Sequence, residues 1–348
     1  MLRSRNLMMA SAAATVAFAG LSSAQYVQLV DLSTIQNGGG GNLVGGQIIG
    51  TTGYALLGGS GTSRLVEIAD IGGANTVTDV ITSSELDTLF ARTGLGASGS
   101  VVASGTNIYI FENTSDQIAV YDTLTDTATL LLDEATFTSS LGFGAVNPVS
   151  GNVFFYNSSA DSIVELTGVN LQTTVLTDTQ LATVAADDTP SGMAFDSSGT
   201  LYLGEASASG GEGVYEVDLT GPTGSLVLTE ADVIALNSGT DLGGSNTAFN
   251  VLSDGSIVFF NSGAPDDIVS YDPSTDTAEI VVTEEELLAG PALRDFAASI
   301  TEFDGEVAWV NTLTVAGGQP GFYAIPEPAT VALLAIGGGL IAAHRRRA

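Results

Sequence analysis

The stretch Val281-Val282-Thr283-Glu284-Glu285-Glu286-Leu287 decides the fold, because five other stretches of the chain repeat its pattern. Each copy has two aliphatic residues, then Thr or Asp, then three further residues, and then Leu, Ile, Val or Phe. The Thr or Asp positions are 31, 82, 133, 177, 229 and 283, so successive copies lie 51, 51, 44, 52 and 54 residues apart. A strand-rich repeat of this length predicts the blades of a β-propeller.

Each copy also marks the passage from a strand to a short helical turn. The aliphatic pair ends the strand. A Thr followed three residues later by Glu or Gln forms a capping box, in which the two side chains accept hydrogen bonds from N–H groups at the helix start. The full pattern is present in three pairs: Thr82 and Glu85, Thr177 and Gln180, and Thr283 and Glu286. The sequence therefore predicts short helical turns between the blades.

The segment 248–282 gives the order of strands within one blade. Four strands are predicted at 248–253, 257–260, 268–271 and 278–282, with turns at Asp254-Gly255 and at 272–276. In the first repeat, the early strands are expected within 47–59, after the glycine run at 38–41. The corresponding first turns of the other repeats are Ser104-Gly105, Ser150-Gly151, Ser198-Gly199 and Asp304-Gly305.

The strand count predicts how the ring closes. Six repeats supply strands one to three, but the last repeat ends at 322–325 without a fourth strand. Residues 27–30, which carry the repeat pattern at the N-terminus, supply the missing strand. We expect them to complete the last blade, because closure removes an exposed sheet edge. Residues 25–325 are thus predicted to form one all-β, six-bladed β-propeller. A pair of sandwiches and a β-solenoid are the alternatives, although a solenoid needs a shorter repeat of about 20–30 residues.

The composition excludes several functions. The chain has 39 acidic residues, eight Arg, no Lys and no Cys, and its one His is His344. Such an acidic body repels nucleic acid and attracts divalent cations only diffusely. Without Cys there is no disulfide framework or thiolate metal site. Without His or Lys between the termini there is no Ser-His-Asp triad, His-ligated zinc or Schiff base.

The N-terminal segment has the parts of a signal peptide. Arg3 and Arg5 precede an apolar run at 7–21, and small residues follow at 22–24. This order predicts a signal helix over residues 1–24, with cleavage between Ala24 and Gln25. The protein is therefore expected to be exported.

The C-terminal segment, residues 326–348, has three parts. Pro326-Glu327-Pro328 precedes an apolar run at 329–343, and Arg345, Arg346 and Arg347 follow. The run predicts a short transmembrane helix whose arginines stay on the cytoplasmic side. The segment resembles the PEP-CTERM sorting signal of Gram-negative bacteria.

In that family an exosortase-type enzyme cleaves the tail, and the protein reaches the cell surface or an extracellular polysaccharide matrix. The resemblance implies that Pro326, Glu327 and Pro328 are the processing motif and that only the uncleaved tail contacts the membrane. A plain C-terminal membrane anchor is the alternative.

Segments of the body, such as "SGNVFFYNSSADSIVEL" at 150–166, resemble blades of NHL, YWTD and gluconolactonase-like six-bladed propellers. The resemblance extends over most of residues 25–325. It implies the fold and, by itself, no activity.

An aligned set of oxygen-bearing side chains is the candidate metal site. These residues end the second strand of blades two to six: Glu112, Asn157, Glu205, Asn261 and Asn311. Since Ca²⁺ takes six to eight hard oxygen ligands, the set could contribute to a calcium site near the channel mouth. Gluconolactonase-like propellers hold a divalent ion at that place by acidic and Asn side chains. The alternative is that each side chain caps the backbone of the loop that follows it.

Other conspicuous residues have structural interpretations. The segments 122–126 and 272–276 are interpreted as hairpin turns rather than ligand loops. Glu284, Glu285 and Glu286 are interpreted as the solvated first turn of a helix, favoured by the helix dipole. The aromatic residues are expected in the core between blades: Phe154, Phe155, Tyr156, Phe259, Phe260 and Trp309.

Two functions fit these observations. One is an exported surface or matrix protein that binds a polysaccharide or protein, or is structural, and that catalyses no reaction. The other is a calcium-dependent, lactonase-like hydrolase at the propeller channel, in which Glu112 or Glu205 acts as the base.

Overall fold

The computed structural model describes residues 26–59, 61–92, 99–185, 189–205, 211–237, 248–262, 265–289, 298–312 and 319–325. The predictions made for both ends of the chain lie outside these residues: the signal peptide with Ala24 and Gln25, the Pro326-Glu327-Pro328 motif and the arginines at 345–347. In the part of the chain that is described, no helix has the length and apolar character needed to cross a bilayer.

Six antiparallel sheets of four strands each confirm the predicted six-bladed propeller. Blade 1 contains β2 (Asn42–Ile49), β3 (Thr52–Gly58), β4 (Arg64–Ala69) and β5 (Thr76–Ile81). Blade 2 contains β6 (Gly99–Ser104), β7 (Asn107–Glu112), β8 (Gln117–Asp122) and β9 (Thr127–Leu132). Blade 3 contains β10 (Leu141–Val146), β11 (Val153–Asn157), β12 (Ser162–Gly168) and β13 (Leu171–Leu176).

The other three sheets follow the same order. Blade 4 contains β14 (Gly192–Phe195), β15 (Leu201–Glu205), β16 (Gly213–Asp218) and β17 (Thr223–Thr229). Blade 5 contains β18 (Phe249–Val251), β19 (Ile257–Asn261), β20 (Asp267–Asp272) and β21 (Thr277–Val282). Blade 6 contains β22 (Ser299–Phe303), β23 (Glu306–Asn311), β24 (Gly321–Ala324) and β1 (Val27–Asp31).

In blade 6 the fourth strand comes from the N-terminal side of the chain. β1 pairs antiparallel with β24, with Val27 opposite Ala324 and Asp31 opposite Gly321. Tyr26, just before β1, packs edge-on against Trp309 of β23, with ring centroids 4.9 Å apart. The β1 segment is therefore tied to blade 6 by both backbone pairing and aromatic packing.

In the described parts of the connections between blades there are five short helices, at the predicted repeat pattern. They are α1 (Leu32–Gln36), α2 (Ser83–Leu89), α3 (Asp178–Val184), α4 (Glu230–Asn237) and α5 (Glu284–Ala289). All three predicted capping boxes are formed. Thr229 and Asp232 form a further box, in which the shorter Asp replaces Glu. As interpreted, α5 begins with three consecutive glutamates.

The antiparallel strands give the propeller two different ends. The hairpin end carries the turns from strand one to strand two and from strand three to strand four. The loop end carries the connections from strand two to strand three and the helical connections between blades. The five predicted first-turn glycines at the hairpin end all have positive φ, which glycine adopts without strain. Asp126 and Asp276 also have positive φ, and their segments are hairpin turns as interpreted.

The start of blade 1 differs from the sequence prediction. β2 begins at Asn42, whereas its start was expected at residue 47 or later. The Arg64 guanidinium donates to the carbonyls of Gln36 and Gly40 and pairs with Asp79 at 3.0 Å. These bonds fix the glycine-rich loop beside β4, so pairing with β3 starts as soon as the glycine run ends.

Each core lies between neighbouring blades. The second strands are buried on both faces and therefore have nearly continuous apolar sequences, as in β11. The fourth strands are mostly exposed in their first half, become buried at their last residue and are rich in Thr, as in β5 and β9. The aromatic residues predicted for the core are all buried, with Trp309 completely so. Burial at about 25 cal/mol per Å² of apolar surface makes these contacts the main stabilising contribution.

Candidate functional site

The five residues of the predicted metal set all lie at the loop end and are all buried. Each is the last residue of a second strand. Each faces the start of the third strand, and the pairs are Glu112 with Gln117, Asn157 with Ser162, Glu205 with Gly213, Asn261 with Asp267, and Asn311 with Gly321. Several partners are polar and buried as well, so the loop end carries a series of buried polar groups.

Glu112 is held by neighbours on two connections. Its Oε2 accepts hydrogen bonds from the Ser115 backbone N–H at 2.7 Å and from the Ser115 hydroxyl, and Arg92 donates at 3.0 Å. Burial alone would raise the pKa of Glu112, but the Ser115 hydrogen bonds and the Arg92 charge outweigh it, and the pKa lies below its ordinary value. Glu112 is therefore a fixed anion and a poor proton acceptor.

Asn157 interacts with the loop that follows it. Its Oδ1 accepts a hydrogen bond from the Ser159 N–H at 3.1 Å. Glu112 does the same with Ser115, so two members of the set match the loop-capping interpretation. Asp267, the strand partner of Asn261, caps α5 by accepting from the Glu284 N–H at 2.8 Å.

Glu205 lies close enough to Tyr215 to affect its ionisation. Burial raises the pKa of Tyr215, and the negative charge of Glu205 raises it further. Glu205 is 1 % exposed, so its carboxylate lies in the protein interior.

Clusters of three or more His, Cys, Asp or Glu side chains that could hold a metal ion are absent from the described residues. The predicted set has only two carboxylates and three carboxamides, so its metal binding stays a prediction. Of these five residues, Glu112 fits a metal least well, because Arg92 already neutralises its charge.

A cavity on the propeller axis was not predicted from the sequence. It has a volume of about 290 Å³ and is lined by residues from the first strands of all six blades. These residues lie in the second half of each first strand, so the cavity is at the hairpin end. Gly105 and Pro148 lie at its rim. The cavity and the predicted metal set are therefore at opposite ends of the channel.

Gln47 is the polar residue that distinguishes this cavity. It lines the cavity and is only 8 % exposed, yet no group among the described residues hydrogen-bonds its side-chain amide. The polar side chains near it are paired. Thr301 Oγ1 accepts from the Ile48 N–H at 3.0 Å, and Asn250 donates to the Ile300 carbonyl at 3.0 Å. Sequence reasoning missed Gln47 because it stands in an ordinary strand with no repeat among the other blades.

Comparison with solved structures gives the same fold. A Bacteroides thetaiotaomicron protein of unknown function has a TM-score of 0.56 and 14% identity, over 87% of this chain and 74% of its own. A luciferin-regenerating enzyme has a TM-score of 0.52 and 10% identity, over 87% of this chain and 96% of its own. A catalytically inactive variant of virginiamycin B lyase from Staphylococcus aureus has a TM-score of 0.50 and 11% identity, over 86% of this chain and 99% of its own.

These similarities support the class of fold, a six-bladed β-propeller. At such low identity they carry no activity to this chain. No protein-family model matches the chain, and no curated protein matches it significantly.

Proposed function

We propose that the protein is an exported, cell-surface or matrix-associated β-propeller that binds a polysaccharide or protein ligand and catalyses no reaction. The observation that carries the non-enzymatic part is the Glu112 environment. Glu112 is buried, as a catalytic carboxylate often is, but Arg92 and Ser115 hold it as an anion. A general base needs a pKa near the working pH, and here the pKa is shifted the other way.

The second candidate function is a calcium-dependent, lactonase-like hydrolase. It is favoured by one observation, the burial of five oxygen-bearing residues at the same blade position of one end. Glu205 would be its base, because it is the buried carboxylate of the set that does not pair with Arg92. The residues available to hold the ion are Glu205, Asn157, Asn261 and Asn311, and calcium would supply charge at the loop end.

A substrate panel with melting curves tests both functions. We expect no turnover of lactones or esters, and at most weak calcium binding that stabilises the fold. A site of about millimolar affinity would add about 1.4 kcal/mol in about 10 mM calcium. Turnover that is lost both with chelator and in Glu205→Gln would establish the hydrolase instead. A melting point that does not respond to calcium would remove the metal site.

Export and processing are part of the proposal, supported by the sequences at 1–24 and 326–348. The mature protein is expected to begin near Gln25 and to lose its tail near Pro326-Glu327-Pro328, through an exosortase-type enzyme. Intact-mass measurement on material from the native host checks this. A mature species that still carries Arg345, Arg346 and Arg347 would favour the plain membrane anchor.

We also propose that β1 closes the ring of blades by completing blade 6. The proposal is supported by the pairing of β1 with β24 and by the burial of Leu29, Val30 and Ile35. Deleting residues 25–35 is expected to expose the edge of β24 and to cause aggregation, since an unpaired edge strand can pair with another chain. A deletion variant that stays monomeric with an unchanged melting curve would refute this role of β1.

A further inference from the structure

The central cavity at the hairpin end differs from the rest of the buried polar regions. At the loop end, the buried carboxylates of Glu112 and Asp267 contact an arginine and a helix N–H group respectively. Gln47 has no such partner although it is 8 % exposed. The Gln47 amide faces the cavity, where it is available to hydrogen-bond a molecule held there.

The cavity wall is divided into a polar and an apolar side. Blades 5, 6 and 1 follow one another around the ring and provide Asn250, Thr301, Glu302 and Gln47. Blades 3 and 4 lie opposite, and their described lining residues are apolar or glycine, with Met193 and Phe195 the largest. A ligand that fits must therefore have hydrogen-bonding groups along one side and an apolar face on the other.

The charges of the wall disfavour an anionic ligand. Glu302 is the one ionisable side chain among the described residues that line the cavity, and no lining residue is basic. Both Glu302 oxygens already accept hydrogen bonds from Ser253, at 2.8 Å from its N–H and 2.7 Å from its hydroxyl. Their remaining lone pairs can accept from a ligand hydroxyl. An anion finds no positive partner here and is repelled by the net charge of −31.

The size of the cavity sets an upper limit on the ligand. Its volume of about 290 Å³ equals that of roughly ten water molecules at about 30 Å³ each. That is room for one six-membered sugar ring with its hydroxyl groups. A pyranose ring also has the required division, because its C–H groups form an apolar face and its hydroxyls donate and accept hydrogen bonds at the edge.

We propose that the hairpin-end cavity binds a single neutral pyranose unit, with the Gln47 amide as its principal hydrogen-bonding group. The inference rests on the proposed binding function and assigns a place and a ligand class to it. The unit is either a free monosaccharide or the terminal residue of a polysaccharide. Met193 and Phe195, from blade 4, lie in the wall against which the apolar face of the ring would pack.

Isothermal titration of the full chain tests the site with D-glucose, D-galactose and D-mannose, and with a short dextran. At least one monosaccharide is expected to bind. Gln47→Leu should weaken that binding about tenfold or more, because the ligand hydroxyls lose their amide partner. The same variant should keep or raise the melting temperature. Gln172→Leu, the same substitution on the outer strand β13, is the matched control and should leave the affinity unchanged.

The two sources of the sugar are separated by comparing the ligands. If dextran, counted per chain end, binds as tightly as glucose, the ligand is the terminal residue of a polysaccharide. If only the monosaccharide binds, the ligand is a free sugar. The inference is overturned if no sugar binds, if tetramethylammonium binds in preference, or if Gln47→Leu binds as well as the wild type. A lower melting temperature in Gln47→Leu with unchanged binding would make Gln47 a structural residue.

Sedimentation with extracellular matrix polysaccharide from the native host tests the proposed function separately. If the matrix retains the wild type and Gln47→Leu equally, the cavity inference fails and the binding function stands. If it retains neither while a monosaccharide still binds at Gln47, the matrix function fails and the cavity site stands.

Discussion

The loop end and the hairpin end are made by the same strands but bury different groups. Of the fourteen buried polar or charged side chains among the described residues, twelve lie at the loop end, where second strands end and third strands begin. The other two, Gln47 and Thr301, lie in first strands and line the hairpin-end cavity. The hairpin turns themselves keep their aspartates in solvent, as Asp122 and Asp272 do.

The difference between the two ends indicates that the loop end serves stability and the hairpin-end cavity serves binding. At the loop end, buried polar side chains hold the connections in place, as Glu112 does with Arg92 and Ser115. At the hairpin end, exposed turns need only local hydrogen bonds, and the Gln47 side chain, which has no protein hydrogen bond among the described residues, lines the cavity. We therefore expect substitutions at the loop end to change folding and substitutions in the cavity to change binding.

The largest effect is expected from Arg92→Met at the loop end. The substitution leaves the Glu112 charge buried without its cation and should lower the free energy of unfolding by about 3 kcal/mol. That value is at the low end for a broken buried pair, because Ser115 still donates to the carboxylate. Urea unfolding measures the change. Asp272→Asn at the hairpin end is the control and should have a smaller effect, because the hydrogen bonds that Asp272 accepts from Ser274 and Thr275 lie in an exposed turn. Equal losses in both variants would refute the distinction between the ends.

Lowering the pH should remove the contribution of the Glu112 charge to folding stability. Its folded pKa is lowered below the ordinary value of 4.5, so its stabilisation is present above about pH 4.5 and is lost as the pH falls through the folded pKa. At pH 7, Glu112→Gln should be less stable than the wild type by about 1.5 kcal/mol, because charged hydrogen bonds are lost. The difference in stability should shrink as the pH falls below 4.5, as urea unfolding at each pH will show. A constant difference would mean that the Glu112 charge is not what stabilises this end.

A smaller effect is expected at the helix starts of the loop end. Thr82→Ala removes the side-chain half of the α2 capping box and should cost about 1 kcal/mol. Thr125→Ala is the matched control, because Thr125 is exposed in a hairpin turn, where its hydroxyl pairs with that of the neighbouring Thr127. Thermal unfolding should show a larger loss of stability for Thr82→Ala than for Thr125→Ala. A larger loss for Thr125→Ala would contradict this prediction.

The smallest effect is expected at the hairpin end, from Tyr271→Phe. The Tyr271 hydroxyl donates to Asp276 at 3.2 Å, and its loss should cost about 0.5 kcal/mol at neutral pH. Burial and this hydrogen bond raise the pKa of Tyr271 to about 12. The stabilisation is therefore present below the ordinary tyrosine pKa of 10.0 and is lost as the pH rises through about 12. Alkaline melting curves should show the wild type approaching the variant, and parallel curves would count against this account.

Local signals in the sequence predicted most of the hairpin end and all of the repeat. Turn pairs such as Asp254-Gly255 place a positive φ at the glycine, and this depends on the residue alone. The Thr82 and Glu85 pair likewise caps its helix through contacts three residues apart. The start of β2 was misplaced because Arg64, a residue more than twenty positions away, fixes the loop before it.

The sequence by itself determined the six repeats, the strand order within a blade and the chemical groups the body lacks, because periodicity and composition do not depend on distant contacts. Only the tertiary structure decided which polar residues are paired. Glu112 and Gln47 are both polar residues within predicted strands. Arg92, brought in by the preceding connection, pairs with the first, whereas six converging strands enclose the second in a cavity. Pairing and enclosure arise from groups far apart in the chain, so no local pattern encodes them.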